Sequence, residues 1–452
     1  MTTASGSRAG GANAAGPRHV APETGRTRLW LALLGIAGAV LAYLAKWPCR
    51  FGGAWVEGGQ YTYACYSDVF PLYYRDGLGS GAVPYLDVPT EYPVLTGGLM
   101  YAAARAVSWL PEGLDRAFAY FDFTAVVLGC CLVAAVMGTG YLAGRGGADA
   151  EDGDFRPRAA LLAGGFVALA PAAVLAGLIN WDLLAVALVV GALVCYSRGR
   201  MWAAGALIGL ATAAKFFPFL VFGPLFVLML REVWRKEGGL QAADFLRTLA
   251  GAAAAWAAVN LPVYLAAPHN WATFFRFSQE RGTDWGSLYY ALGGYGLFDS
   301  GDLDLVNATG TGALVVCCAG IGLLGLLARR RPPLEQLVFL VVAAFLLTNK
   351  VWSPQFVLWL LPLAALAWPR TVRPAVAAAV FALWQAAEVC YFFGIWQHLL
   401  YVSQQGDPAV AGPPAGLPFE GYALVLLGRW AGVVAMCVLT VVDCLRKGDP
   451  RG

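Results

Sequence analysis

Apolar residues in this chain come in blocks, many of them near the length an α-helix needs to cross a bilayer. The blocks fall at roughly 29–47, 93–110, 117–143, 158–179, 182–197, 201–215, 217–230, 247–267, 311–328, 334–348, 355–368, 374–396 and 421–445. The pattern predicts an all-α polytopic membrane protein. Residues 1–28, small, polar and Gly/Ala-rich, predict a disordered tail. The first block is long and no small-x-small cleavage site follows it, so it reads as an uncleaved span rather than a signal peptide.

Basic residues orient the blocks. Arg198 and Arg200, Arg231, Arg235 and Lys236, Arg329 to Arg331, Arg370 and Arg373, and Arg446 with Lys447 all lie between or after spans. The positive-inside rule assigns these segments to the cytoplasm. With both tails cytoplasmic, the number of spans is even. Working back from Arg198, the link around Trp181 is outside and the link at 145–157 is inside. The block at 93–110 therefore cannot span, and it also carries Arg105. It reads as a helix on or in the outer leaflet, within a long first external loop from 48 to 116. About twelve spans remain across 29–445, with further external loops at 268–310 and 397–420 and a cytoplasmic tail at 446–452. On this topology 21 of the 31 Lys/Arg and 10 of the 28 Asp/Glu are cytoplasmic. A wrong topology would blur that contrast.

Composition agrees. Charged residues make up 13% of the chain, against about 25% in soluble globular proteins. The net charge of +3 gives no reason to expect a nucleic-acid partner. Ten cysteines without a CxxC, and only three histidines, predict no metal site and no resident cofactor.

The densest polar chemistry follows the first span. Asp68, Asp76, Asp87 and Glu91 lie among tyrosines and prolines in one short stretch. Asp68 is flanked by Tyr66, Phe70, Tyr73 and Tyr74, residues suited to a membrane interface. A carboxylate walled by aromatics at that depth suits a general base acting on a hydroxyl. The bland alternatives are a solvated loop acid, or a helix cap in which Ser67 or Asp68 starts the run Val69–Arg75. Asp182 is either a helix-start acid or a site residue. Lys215 and Lys350 either meet an anion or snorkel to the interface. Asp302-Leu-Asp304 has the form of a nucleotide-sugar metal motif, but it falls on the outer face, where nucleotide sugars are absent. Asp122, Glu388 and Arg429 fall inside apolar runs and keep a transporter in view.

The ordered set Tyr66-Ser-Asp68, Pro84-Tyr-Leu-Asp87, Glu91-Tyr-Pro93, Asn180-Trp-Asp-Leu-Leu184, Ala203–Gly209 running into Lys215-Phe-Phe-Pro218, and Asn349-Lys-Val-Trp-Ser-Pro-Gln355 resembles glycosyltransferase family 87 of actinobacteria. That family includes polyprenyl-phosphate-mannose-dependent mannosyltransferases and belongs to the GT-C class of membrane glycosyltransferases. The resemblance implies a GT-C-like bundle with interfacial helices in the first external loop. It implies a plasma-membrane enzyme that moves a hexose, mannose first among candidates, from a polyprenyl-phosphate donor to a glycolipid or glycan acceptor on the outer face, with inversion. Asp68 would then be the base. Asp87, Glu91, Asp182, Lys215, Lys350, Gln355 and Arg281 would be candidates for binding sugar or phosphate. A flippase for lipid-linked sugars and an envelope polysaccharide polymerase or ligase are the competing classes. Cys49 and Cys65 share the first external loop, as either a disulfide or two free thiols.

Overall fold

The computed structural model describes residues 22–149, 154–405 and 412–446. The described residues are helical throughout, apart from turns and one isolated bridge between Pro84 and Val88. Residues 1–21 and 447–452, within the two expected tails, lie outside the described residues, as do 150–153 and 406–411. The first helix, Pro22–Leu44, begins ahead of Leu29, where the apolar pattern starts.

Among the described residues, seven helices are long and apolar enough to cross a membrane: Gly25–Leu44, Leu114–Arg145, Phe217–Arg235, Ala242–Ala266, Leu303–Leu327, Pro374–Gln404 and Phe419–Leu445. Five shorter apolar helices occupy the other expected spans: Pro157–Leu169, Asp182–Tyr196, Met201–Ala214, Leu334–Thr348 and Pro354–Leu366. The block at 158–179 is broken where Pro171 follows Ala170, because proline supplies no N–H and restricts the residue before it. The block at 93–110 yields only Val94–Ala106, thirteen residues long.

Large apolar side chains cover the outside of the bundle. Ile36, Val126, Leu162, Val316, Leu383 and Leu424 are all exposed. Leu303–Leu327 has only 6% of its apolar window buried. A continuous apolar surface of this kind belongs in lipid. Inside the bundle, small residues allow close approach. Gly205 and Gly209, spaced as GxxxG, lie against the backbone carbonyls of Thr248 and Ala252, where a Cβ would collide.

Hydrogen bonds gather the links at two ends of the bundle. At one end, Asp68 N donates to Ile179 O at 2.7 Å and Asn270 Nδ2 to Tyr85 O at 2.7 Å. Asp284 N donates to Lys350 O at 2.8 Å, and Tyr422 Oη to Trp285 O at 2.7 Å. This end unites the stretches the sequence assigns to one face. At the opposite end, Asp443 Oδ1 accepts from the backbone N–H groups of Arg370 and Thr371, and Arg231 donates to the carbonyls of Gly325 and Ala328.

Asp122, Glu388 and Arg429, within the apolar runs, are paired. Arg50 meets Asp122 through two bonds, at 2.9 and 2.7 Å, and Tyr43 Oη donates to the same carboxylate. Arg429 Nε meets Glu388 Oε2 at 2.9 Å, and its other nitrogens donate to Trp352 O and Ser353 O.

Candidate functional site

The long loop after the first helix owes its shape to three local constraints. Cys49 and Cys65 form a disulfide. Ser67 Oγ donates to Leu178 O at 2.7 Å, tying the loop to the segment before Asp182. Tyr85 adopts a left-handed backbone at φ +70° and buries its ring, with Oη donating to Tyr92 O at 2.8 Å. A left-handed tyrosine is costly and needs surrounding structure to hold it.

These ties set Asp68 at the start of the helix Val69–Arg75. Its carboxyl caps nothing; Ser67 Oγ meets Val69 N instead. Tyr66 Oη donates to Asp68 Oδ1 at 2.7 Å and Tyr92 Oη to Oδ2 at 3.3 Å. Both partners are neutral. Burial raises the pKa of Asp68, opposed by the Tyr66 bond and the charge of Lys215, while Glu91 pushes it further up. Each tyrosine is backed by a buried tryptophan. Tyr66 lies 4.9 Å from Trp396 and Tyr92 5.3 Å from Trp181, centroid to centroid, and the indole nitrogens of both have no hydrogen-bond partner among the described residues.

Lys215 stands across the Tyr92 ring from Asp68. It terminates the helix Met201–Ala214, and its ammonium is turned inward. Nζ lies 3.4 Å from Asp182 Oδ2, and 5.4, 5.0 and 6.0 Å from the ring centroids of Tyr92, Phe356 and Trp359. Trp359 Nε1 donates to Asp182 Oδ1 at 2.6 Å. A lysine boxed by aromatics and one carboxylate is a poorly hydrated cation, suited to meeting an anion. Gln355, next to Phe356, is buried, with Oε1 unpartnered among the described residues.

The other sequence candidates divide. Glu91 belongs to this neighbourhood and is held by Arg75 at 3.0 Å, which also pairs with Asp76. Asp87 is exposed and accepts from Val83 N at 2.8 Å, holding its own turn. Lys350 and Arg281 form a second basic locus. Lys350 is buried and donates to Gln279 O at 2.7 Å, and burial, then the charge of Arg281, lowers its pKa. Arg281 lies 3.8 Å from Asp284. Asp302 caps the helix Leu303–Leu327 by accepting from Leu305 N, an ordinary N-cap. His398 is packed flat on Tyr422, with Nε2 2.7 Å from Tyr290 Oη and Nδ1 2.9 Å from Leu417 O. Among the described residues no group of three or more His, Cys, Asp or Glu could hold a metal ion.

Lys46 was not among the candidates. It follows the first helix, is fully buried, and donates to Tyr66 O at 2.8 Å and Leu175 O at 3.4 Å. Burial lowers its pKa to about 7, while the charge of Asp68 acts in the other direction. A lysine closing an apolar run looks like an interfacial anchor in the sequence, and only the fold turns it toward Tyr66.

A family model described as Glycosyltransferase family 87 matches residues 93–349. Among solved structures, the chain is similar to the Archaeoglobus fulgidus oligosaccharyltransferase in its apo form, at 15% sequence identity and a TM-score of 0.41. The similarity covers 92% of this chain and 56% of that one, so the chain spans little more than half of that protein's length. No curated protein matches the chain.

Proposed function

The chain belongs to glycosyltransferase family 87, and from that premise we propose that it transfers a hexose, mannose first among candidates, from a polyprenyl-phosphate donor to a glycolipid or glycan acceptor. The reaction takes place on the outer face of the plasma membrane, with both tails cytoplasmic.

One observation carries the reading: the Asp68 carboxyl is held by two neutral hydroxyls, at 2.7 and 3.3 Å, with no bonded cation among the described residues. A structural carboxylate in such surroundings would be expected to have an ion-pair partner. This one is oriented and left basic, with its pKa raised toward the working range of a general base. The family match begins at residue 93, so the case for Asp68 rests on this geometry and on the resemblance of the loop.

The acceptor hydroxyl attacks C1 of the sugar and gives its proton to Asp68. The bond from C1 to the phosphate oxygen breaks on the opposite face, inverting the centre, and polyprenyl phosphate departs with the electron pair. Lys215 is the closest match to the developing phosphate charge, exchanging Asp182 for it. Lys350 and Arg281 are the second choice. Trp181, Trp396 and Gln355 carry unpartnered polar atoms suited to sugar hydroxyls. A single base suffices, unlike the two carboxylates of a glycosidase.

A flippase is less well supported. Asp122, Glu388 and Arg429, the charges within apolar runs, are paired in the fold, whereas transporters use such groups for cargo or ions. A polysaccharide polymerase or ligase would differ in its acceptor.

The test is transfer from labelled polyprenyl-phosphate mannose in membranes, for the wild type and Asp68→Asn at matched expression. Labelled product from the wild type alone supports the reading. Equal labelling would remove Asp68 as base, and no transfer by the wild type would remove this donor.

A further inference from the structure

A large cavity lies far from Asp68. A groove of about 1090 Å³ runs between the helices Pro157–Leu169 and Pro374–Gln404, floored by Ala365, Leu366 and Trp368. Its volume is at the upper end for small-molecule sites. Its mouth carries Arg156 and Arg370, beside Gly146 and Gly147. The chain runs from Arg156 through Pro157–Leu169 and Pro171–Ala176 to Leu178 and Ile179, whose carbonyls hold Ser67 and Asp68. At helical rise, the mouth and Asp68 are roughly 30 Å apart. The groove therefore opens at the end of the bundle opposite the candidate site, where the basic links gather.

Two features specify an occupant. The mouth is positively charged. Arg156 is exposed and makes no ion pair among the described residues. Arg370 donates to Gly146 O and faces Glu335, behind Gly147, only at 3.9 Å. The second feature is the wall below that mouth, which is apolar along Leu162, Phe166, Ala382 and Val389. The occupant should therefore combine an anionic head with long apolar chains.

We propose that this groove binds an anionic phospholipid of the leaflet on that side. Its phosphate sits between Arg156 and Arg370, and its chains lie along Leu162, Phe166, Ala382 and Val389. Basic pockets between membrane helices recognise anionic headgroups in this way. The site is separate from sugar transfer and does not depend on the proposed function.

The test uses the full chain purified in detergent and titrated with phosphatidylglycerol or phosphatidylcholine of the same chain length. Native mass spectrometry reads the retained lipid, and thermal unfolding reads its effect. Phosphatidylglycerol should be preferred, with each rim arginine contributing about fivefold. Arg156→Gln should remove its share, and the double variant with Arg370→Gln should abolish the preference. Should the double variant fail to fold because Arg370 also ties Gly146, Arg156→Gln decides alone. Equal retention of the two lipids, or a preference that survives Arg156→Gln, overturns the proposal. Transfer activity is not a readout, so its presence or absence bears only on the function proposed above.

Discussion

Two carboxylates in this molecule, one buried and one half-buried, are treated in opposite ways. Glu388 is sealed between helices and meets Arg429 at 2.9 Å, with Trp384 Nε1 on its other oxygen. Arg429 in turn holds the carbonyls of Trp352 and Ser353 and lies between the rings of Trp352 and Tyr391. Both charged groups there have hydrogen-bond partners. Asp68 has two tyrosine hydroxyls and no bonded cation. The first arrangement neutralises charge and fixes a loop. The second orients a carboxylate and leaves its charge available. Burial alone does not mark a functional acid; the kind of partner does.

The sharpest way to break this contrast is to remove each charge in turn. Asp68→Asn should cut transfer by about a hundredfold to ten-thousandfold, the range for a positioned base. Its thermal midpoint should hold or rise, since a costly buried charge is gone. Glu388→Gln should do the reverse. Stranding the Arg429 guanidinium should cost about 3–5 kcal/mol of stability, seen as a lower unfolding midpoint in detergent. If Glu388→Gln leaves the midpoint unchanged, or Asp68→Asn lowers it as much, the two sites do not differ as argued.

Much of the fold follows from the apolar blocks. Helix after helix starts near its predicted position, because a bilayer-length apolar run has few alternatives. Asp68 was visible because its aromatic and proline setting is unusual beside an apolar span. The pairing of Lys215 with Asp182, the cage of Tyr92, Phe356 and Trp359, and the inward turn of Lys46 were not. Those contacts join residues far apart in sequence. Trp359 in particular looks like one more apolar residue of a span until the fold brings its N–H to Asp182. Asp122 and Glu388 were legible as charges within apolar runs, but their partners Arg50 and Arg429 could not be assigned without the fold.

Smaller changes sharpen the same comparison. Lys215→Met should lower kcat/KM by about a hundredfold, as expected when a cation facing a developing oxyanion is lost. The acceptor's KM should change little. An effect confined to the acceptor's KM would move the phosphate site to Lys350 and Arg281. Tyr66→Phe should have the smallest effect, read in the pH profile. Activity needs ionised Asp68, so it falls as pH drops through that group's pKa. That acid limb should already lie above the usual carboxylate range of about 4, because burial raises the pKa. Removing the Tyr66 bond, which favours the ionised form, should move the limb further up. A limb that stays put or moves down would mean Tyr66 does not set the basicity of Asp68.

The Arg429 clamp also constrains how the protein is made. Arg429 and Tyr422 both belong to Phe419–Leu445, the last of the described helices, and together they fasten the carbonyls of Trp285, Trp352 and Ser353. During synthesis the earlier helices enter the membrane before that helix has left the ribosome. Until it docks, two of the loops at the Asp68 end of the bundle lack their fastening, however well the first loop has closed. A nascent chain halted before Phe419 would carry Asp68 and Lys215 yet lack the fastened Trp352–Ser353 backbone that leads into Gln355 and Phe356. The timing of that helix's insertion thus decides when the Asp68 end can become competent.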